Sequence, residues 1–203
     1  GTGAKGTLKI ASTNVTNTNL KEIHQAALDV DENSSLTTNV TKLNISGNIA
    51  NAGTITLTAN GTLNNEVTGN NGSIIVDNGN LTVTNTIANK INVLENSTLV
   101  ANIEGKEISG VITNSGTTNI LASNIGADMT NTGKVNLGTG TLTNAITGTI
   151  GEVAVVGKVE VNGATITQSK LAIGSAENTE ASLKTDLSKL NIAYKDITNE
   201  GTL

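Results

Sequence analysis

A three-residue step recurs along this chain: an aliphatic residue, then Thr or Ala, then Asn, Gly or Gln. Its copies begin at Val15, Ile49, Val67, Ile87, Ile112, Met129, Ile146, Ile166 and Ile197. From Ile49 onward, the copies are spaced by 18, 20, 25, 17, 17, 20 and 31 along the chain. A period of about 20 residues is typical of a repeat architecture, in which each unit is too short to bury its own core and must stack on its neighbours.

A longer repeat accompanies the short step. Residues 28–59 align without a gap to residues 91–122, an offset of 63, and residues 187–203 repeat part of 40–54 at an offset near 147. If one unit is about 21 residues, these offsets correspond to about three and seven units. The unequal gaps between steps then predict insertions that lengthen single coils without breaking the stack.

The composition requires a narrow interior. The 203 residues include no Pro, Cys, Phe or Trp and one Tyr, so Ile, Val, Leu and Ala must fill the core. The β-branched residues favour short strands, whereas Asn and Gly tolerate the left-handed backbone angles of corners. These features predict an all-β parallel β-helix with coils of about 20 residues, formed by residues 1–203 as one continuous β-solenoid. Disorder is the weaker alternative, because the aliphatic residues are periodic and the charge is low.

The strand pattern also predicts which side chains point inward. Alternation places Ile55 and Leu57 on one side of a strand and the intervening Thr residues on the other. The aliphatic residue of each step should therefore face the core. The Asn residues of the step are expected at a repeated corner, where their side-chain amides can form a ladder of hydrogen bonds.

Two segments depart from the pattern and are predicted as helical or loop insertions, at 18–28 and 174–182. In the first, Asn19 and Glu22 resemble a capping box. One helical face would carry Leu20, Ile23, Ala27 and Leu28. A short helix over about 19–28 is predicted, with an edge strand as the alternative. The charged stretch 176–190 could form a helix, but alignment to the repeat favours a further coil from Leu183.

Charge and hydropathy exclude several classes of function. The net charge is −5, and no basic patch or aromatic platform suits nucleic acid. No apolar run approaches the length of a membrane span. The chain begins at Gly1 without Met or a visible signal peptide, which is typical of a processed or excised segment. The lack of Cys fits either a cytosolic protein or a bacterial surface protein exported unfolded, and the composition favours the second.

The stretch 112–117 (Ile-Thr-Asn-Ser-Gly-Thr), with its relatives at 49–54 and 197–202, resembles repeats of bacterial type V autotransporter passenger domains. The Asn- and Thr-rich, aromatic-poor sequence is similar to rickettsial and fusobacterial surface antigens and, more loosely, to filamentous haemagglutinin. The resemblance covers nearly the whole chain and implies a right-handed parallel β-helix on the bacterial cell surface. It also implies a C-terminal translocator barrel outside this sequence. Unlike many passengers, this chain has no internal aromatic stack.

No catalytic, cofactor-binding or metal-binding residues are predicted. His24, the single histidine, stands near Glu22, and Ser12 and Asp29 could complete a triad by residue type alone, without a nucleophile motif. One His without Cys is a poor basis for a metal site. The acidic stretches at 29–33 and 77–80 match no calcium-loop pattern.

Two rival functions have weak support. Polysaccharide lyases and hydrolases also use parallel β-helices, but the carboxylates here are scattered and Arg is absent. Ice binding would need a Thr-x-Thr pair on one face of every coil, whereas such pairs occur unevenly, at residues 54/56, 82/84, 141/143 and 165/167.

The sequence therefore predicts an extracellular, non-enzymatic structural or adhesive β-solenoid that presents a repetitive binding face. Its expected partners are molecules of a host or neighbouring cell surface, with no nucleic acid and no membrane insertion by this segment. The alternative is a subunit that assembles end to end with copies of itself into an extracellular filament or surface layer, since open solenoid ends expose strand edges.

Overall fold

A computed structural model describes residues 6–17, 22–69, 71–121 and 124–203. Strands make up 56% of the chain, nearly all of them parallel, and helix only 3%. They form a β-solenoid with coils of about 19 residues, which confirms the predicted fold class and period. Most coils contain three short strands, so the solenoid has three faces, named here face 1, face 2 and face 3 in chain order.

Face 1 contains strands β1 (Thr7–Ile10), β4 (Ala27–Val30), β7 (Ile49–Asn51), β10 (Val67–Thr68), β15 (Glu107–Ile108), β18 (Asn124–Ile125), β21 (Gly140–Leu142), β24 (Lys158–Val161) and β26 (Ser182–Lys184). Face 2 contains β2 (Val15–Asn17), β5 (Ser35–Asn39), β8 (Thr54–Thr58), β11 (Ser73–Asp77), β13 (Lys90–Val93), β16 (Ile112–Asn114), β19 (Met129–Asn131), β22 (Ile146–Thr147) and the first halves of β25 (Ile166–Ile173) and β27 (Leu190–Asn199).

Face 3 contains β3 (Ile23–Gln25), β6 (Leu43–Ile45), β9 (Gly61–Leu63), β12 (Asn80–Val83), β14 (Thr98–Ala101), β17 (Thr117–Ile120), β20 (Lys134–Leu137), β23 (Glu152–Val155) and the second halves of β25 and β27. Two short 3-10 helices, Val40–Lys42 and Leu187–Lys189, occupy corners of the coils. Asn39 and Asp186 begin them, each accepting a backbone N–H with its side chain, which is the role of a helix N-cap.

The core is a set of aliphatic rows, in which each coil places a side chain directly over that of the previous coil. The longest row lies on face 2 and runs in register through Leu36, Ile55, Ile74, Ile91, Ile112, Met129, Ile146 and Ile166. All eight side chains are at most 2% exposed. Full burial of each contributes roughly 1.5–3 kcal/mol, which explains how a core without aromatic residues holds the coils together.

The predicted inward orientation of the step is confirmed at Ile49, Val67, Ile87, Ile112, Met129, Ile146 and Ile166, all of which are buried. Val15 is half-buried. Ile197 departs from the prediction. It lies in register with the buried Leu171, yet it is 42% exposed, because no described strand covers β27 on its far side.

The strand pairing corrects the interpretation of the 63-residue repeat. The pairs Leu28–Ile49, Ile49–Val67 and Val67–Ile87 show that three coils from Leu28 end at Ile87, still on face 1. Slightly further along the chain, Ile91 lies on face 2. The offset of 63 is therefore three coils and one further face, not three longer units.

The same shift explains the irregular gaps between steps. The steps at Ile49, Val67 and Ile87 lie on face 1, whereas those from Ile112 to Ile166 lie on face 2 and that at Ile197 lies on face 3. The two longest gaps, from Ile87 to Ile112 and from Ile166 to Ile197, cross from one face to the next. The first of these gaps needs no insertion, since Ile87 pairs with Ile108 over a coil of ordinary length. The second gap combines the move to the next face with a lengthened coil, since Lys158 pairs with Ser182.

The predicted helix over 19–28 is also wrong over its described part. Residues 18–21 lie outside the described residues, and Ile23 begins β3 while Leu28 lies within β4. The corner at Ala26 separates the two strands, and its backbone N–H donates to Gly6. Ile23 pairs with Leu43 and Leu28 with Ile49, and a helix would give up this parallel pairing. Long-range pairing therefore overrides the local helical pattern.

Residues 174–181 form turns, with a bridge between Ser175 and Asn178. The coil through them is longer than its neighbour, since Lys158 pairs with Ser182, whereas Lys134 pairs with the much nearer Glu152. The segment 182–199 is mostly strand and 3-10 helix, in agreement with the prediction of a further coil from Leu183.

A ladder of buried amides runs beside the aliphatic rows. Its members are Asn51, Asn89, Asn114, Asn131 and Gln168, all at most 1% exposed. The buried Asn17 donates to the Thr38 hydroxyl instead of to another amide. Asn114 donates to Asn131 at 2.7 Å, and Asn131 donates to Gln168 at 2.7 Å, while Asn51 donates to Asn89 at 2.5 Å. The amides also bind backbone carbonyls of the corners, for example those of Gly133 and Glu152. These contacts confirm the predicted structural role of the step amides.

The ladder also shifts by one face. Asn51 is the last residue of β7 on face 1 and Asn89 follows the face 1 bridge at Ile87, whereas Asn114, Asn131 and Gln168 lie on face 2. Asn51 and Asn89 contact each other across the intervening coil, at whose corner Gly69 has φ +103°. A Cβ there would lie 2.3 Å from the Asn51 carbonyl oxygen, so Gly provides the space in which the two amides meet.

Each run of the ladder has a direction, which explains its unpaired atoms. The side-chain oxygens of Asn51 and Asn114 are buried without a hydrogen-bond partner. Their register neighbours on the N-terminal side are Val30 and Val93, which carry no side-chain donor. Since the bonds between amides run toward the C-terminus, the first oxygen of each run lacks a donor. A buried unpaired carbonyl costs on the order of 1–3 kcal/mol, offset here by the bonds further along.

The inward assignment can be tested at adjacent positions. Ile112→Asp places a charge in the middle of the longest aliphatic row, and we expect a loss of more than about 4 kcal/mol in the free energy of unfolding. Thr113→Asp, at the neighbouring exposed position, should cost about 1 kcal/mol or less. Chemical denaturation followed by circular dichroism measures both, and equal effects would contradict the assignment.

The amide ladder can be tested against an amide pair on the outer surface. Asn131→Ala removes a side chain that bonds both ladder neighbours and two corner carbonyls, and should cost about 2–4 kcal/mol. Asn136→Ala breaks only the outward bond to Asn119 and should cost about 1 kcal/mol or less. The same denaturation measurement applies. A loss at position 136 as large as that at 131 would show that burial of the ladder contributes nothing.

Candidate functional site

The structure does not bring the sequence-derived triad candidates together. His24 lies on face 3 in β3, Asp29 on face 1 in β4, and Ser12 in the corner before β2. The Ser12 hydroxyl donates to the carbonyl of Thr13 instead of approaching the imidazole. His24 and Glu22 contact each other at 2.5 Å, and each side chain is about half exposed. This geometry is that of a solvated surface pair.

The acidic stretches are corners. Asn33 and Asn78 have φ +62° and +51°, which is the left-handed turn conformation that Asn tolerates. Asp31 binds Lys9 at 3.0 Å, and Asp77 accepts a hydrogen bond from Asn78 at 2.7 Å. Within the described ranges, no group of three His, Cys, Asp or Glu side chains is placed to hold a metal ion.

The charged side chains form short rows along the outside of the solenoid. Glu152 contacts Lys134 at 3.2 Å on one neighbouring coil and Lys170 at 3.7 Å on the other. On face 1, Glu160 and Lys184 are register partners at 2.8 Å, and this hydrogen bond and the carboxylate charge raise the pKa of Lys184. Exposed pairs such as these are worth little to stability, typically about 0–1 kcal/mol each.

Surface depressions occur as open grooves at corners. One of about 380 Å³ lies over β6 and is lined by polar residues including Thr41, Asn44 and Asn64. A smaller apolar notch is lined by Leu137, Leu142 and Val159. Neither groove gathers titratable side chains of the kind that catalysis requires.

The most regular outward feature is a column on face 2. We call it the hydroxyl column; its members, one per coil, are Thr16, Thr37, Thr56, Ile75, Asn92, Thr113, Thr130, Thr147, Thr167 and Asn191. Its members sit one strand spacing apart, about 4.8 Å. Every member is uncharged, although the chain as a whole carries a net charge of −5. Seven of the ten are Thr, which presents a methyl group and a hydroxyl together.

The Thr-x-Thr pairs do not form the surface that ice binding would need. Thr54 and Thr56 lie on face 2, whereas Thr82 and Thr84 belong to β12 and the corner after it, on face 3. The pair at 141/143 begins on face 1. The pairs are therefore distributed over all three faces.

Sequence reasoning identified individual Thr residues as outward but not the column itself. The signal was present in the second residue of the step, which is Thr at 113, 130, 147 and 167. Thr16 is also the second residue of a step, at Val15. Only the pairing register shows that Thr37 and Thr56, which lie outside the step, continue the same line.

In comparisons with known proteins, no family model, no curated protein and no solved structure matches this chain. Among the residues that the structure describes, no helix has the length and apolar character needed to cross a membrane.

The His24 pair is expected to be dispensable. His24→Ala removes one exposed contact, and the free energy of unfolding should change by about 0.5 kcal/mol or less. Thermal unfolding by circular dichroism, with Glu22→Gln as the matched variant, measures the effect. A large loss of unfolding free energy from either substitution would show that the His24–Glu22 pair stabilises the fold, contrary to this expectation.

Proposed function

We propose that this chain is a non-enzymatic β-solenoid segment of an extracellular bacterial surface protein, of the adhesive or autotransporter-passenger type, and that face 2 contacts the partner. The hydroxyl column is the observation that supports the proposal most. Its members repeat at one spacing along the rod, face outward and carry no charge. Such a surface suits a molecule of a host or neighbouring cell that offers repeated hydrogen-bonding groups.

The proposed mechanism of binding is multivalent. One Thr makes a weak contact, whose net hydrogen-bond energy is about 0.5–1.5 kcal/mol. A rigid rod holds all of its contacts at fixed spacing, so later contacts form at high effective concentration and avidity exceeds the single-site affinity. The aliphatic rows and the amide ladder provide that rigidity, because they fix the register of every coil.

Enzymatic function has little support in this geometry. His24, Asp29 and Ser12 lie at different places on the coil, and the outer carboxylates of Glu152 and Glu160 are engaged by Lys residues. A binding role requires no such convergence of catalytic groups, whereas it does require a surface that stays constant over several coils.

The proposal is tested by removing hydroxyls from one face at a time. The test variant carries Thr→Ala at 113, 130, 147 and 167 on face 2. The matched control carries Thr→Ala at 62, 82, 98 and 117, which are outward positions on face 3. Fluorescently labelled protein is incubated with bacterial and epithelial cells, and bound protein is measured by flow cytometry.

We expect the face 2 variant to lose binding by on the order of tenfold or more, because avidity multiplies the lost contacts. The face 3 control should stay within about twofold of the parent protein, with both variants folded by circular dichroism. Equal binding by the two variants would refute the role of face 2. Absence of binding by the parent protein, together with fibres in negative-stain microscopy, would favour the filament alternative.

A further inference from the structure

Four Asn-Gly dipeptides occur in the sequence: Asn60-Gly61, Asn71-Gly72, Asn78-Gly79 and Asn162-Gly163. All four lie at or beside corners between strands. In such a dipeptide the glycine nitrogen can attack the Asn side-chain carbon Cγ, since Gly has no side chain to obstruct the approach. The reaction needs an amide and a backbone N–H that are free to move together. The structure differs sharply among the four sites in this respect.

At three of the sites the reacting groups are held. The side-chain oxygen of Asn60 accepts the backbone N–H of Asn80 at 2.8 Å, and the Asn78 amide donates to Asp77 at 2.7 Å. The Gly72 N–H donates to Gly69. Gly72 and Gly79 are also buried, and a Cβ at either would lie within 2.3 Å of a carbonyl oxygen of the preceding coil.

The fourth site is open. Asn162 and Gly163 form the corner between β24 and β25, and both residues are exposed. Gly163 has φ +80°, and nothing lies within 4 Å of the position that a Cβ would take. The backbone N–H of Asn162 donates to Leu142 at 2.9 Å. Within the described part of the chain, no hydrogen bond holds the Asn162 amide or the Gly163 N–H.

We propose that Asn162 is a site of spontaneous deamidation in the folded protein. The Gly163 nitrogen forms a bond to Cγ of Asn162 and loses its proton, and ammonia leaves with the side-chain nitrogen. The product is a five-membered succinimide. Water then adds to one of the two ring carbonyls and opens the ring, which gives aspartate or isoaspartate. No oxidant or reductant is required.

The product adds one negative charge to a chain whose net charge is −5. The corner is exposed and carries no ladder amide. It leads into β25, where Thr167 belongs to the hydroxyl column. Deamidation therefore places a carboxylate at the corner that precedes Thr167 in the chain, and Thr167 is a member of an uncharged column. The modification changes the charge of this corner with time, and it does not depend on the proposed binding function.

The experiment compares all four sites within one sample. The purified chain is incubated at mildly alkaline pH, digested, and analysed by peptide mass spectrometry for conversion at Asn60, Asn71, Asn78 and Asn162. A parallel sample is incubated in denaturing guanidinium chloride. In the folded protein we expect Asn162 to react roughly fivefold or more faster than Asn60 and Asn78, whose hydrogen bonds must first break. In denaturant the four rates should converge to within about threefold.

A variant tests the chemical route. Gly163→Ala places a methyl group beside the attacking nitrogen and should slow conversion of Asn162 in both the folded and the denatured sample, while the other three sites keep their rates. The proposal is overturned if Asn60 or Asn78 reacts as fast as Asn162 in the folded protein. It is also overturned if Asn162 stays intact in the folded chain while it reacts in denaturant, or if Gly163→Ala leaves its rate unchanged.

Discussion

Parallel backbone pairing between successive coils is the interaction on which the rest of this structure depends. Each coil is about 19 residues of short strands and has no core of its own. Pairing at about 4.8 Å fixes one coil over the next, so that Ile91, Ile112 and Met129 stack directly. Burial then follows from register, and a side chain is inside or outside according to the strand position it occupies.

The same register organises the polar groups. Burying a single side-chain amide without a partner would cost free energy. In the stack its hydrogen-bonding groups are satisfied, because each Asn donates to the next member and to the corner carbonyls. In the ladder through Asn114, Asn131 and Gln168, each amide nitrogen donates to the side-chain oxygen of the next member. The side-chain oxygen of Asn114 has no donor, because Asn114 is the first member of the run and its register neighbour is Val93.

Outside the core, register converts a short sequence motif into an extended surface. The Thr of each step has no obvious partner within its own coil. Stacking places Thr113 beside Thr130 and Thr130 beside Thr147, and an uncharged line results along face 2. The function we propose depends on this line and on the stiffness of the rod beneath it. It does not depend on any single side chain, which is consistent with the dispersed positions of His24, Ser12 and Asp29.

The sequence by itself determined the fold class, the approximate coil length, the inward position of residues such as Ile112 and the structural role of the step amides. These follow from local physics, since β-branched alternation and Asn or Gly corners constrain the chain wherever it pairs.

Tertiary structure decided which face each repeat occupies. Leu28 and Ile91 have nearly identical surroundings in sequence but lie on different faces, because the coil lengths between them accumulate to one extra face. It also decided that 23–28 forms strands, since pairing with Leu43 and Ile49 outweighs a local helical pattern. Local sequence cannot predict the face of each repeat or the strands at 23–28. The contacts that decide both join residues on successive coils, a full turn of the solenoid apart.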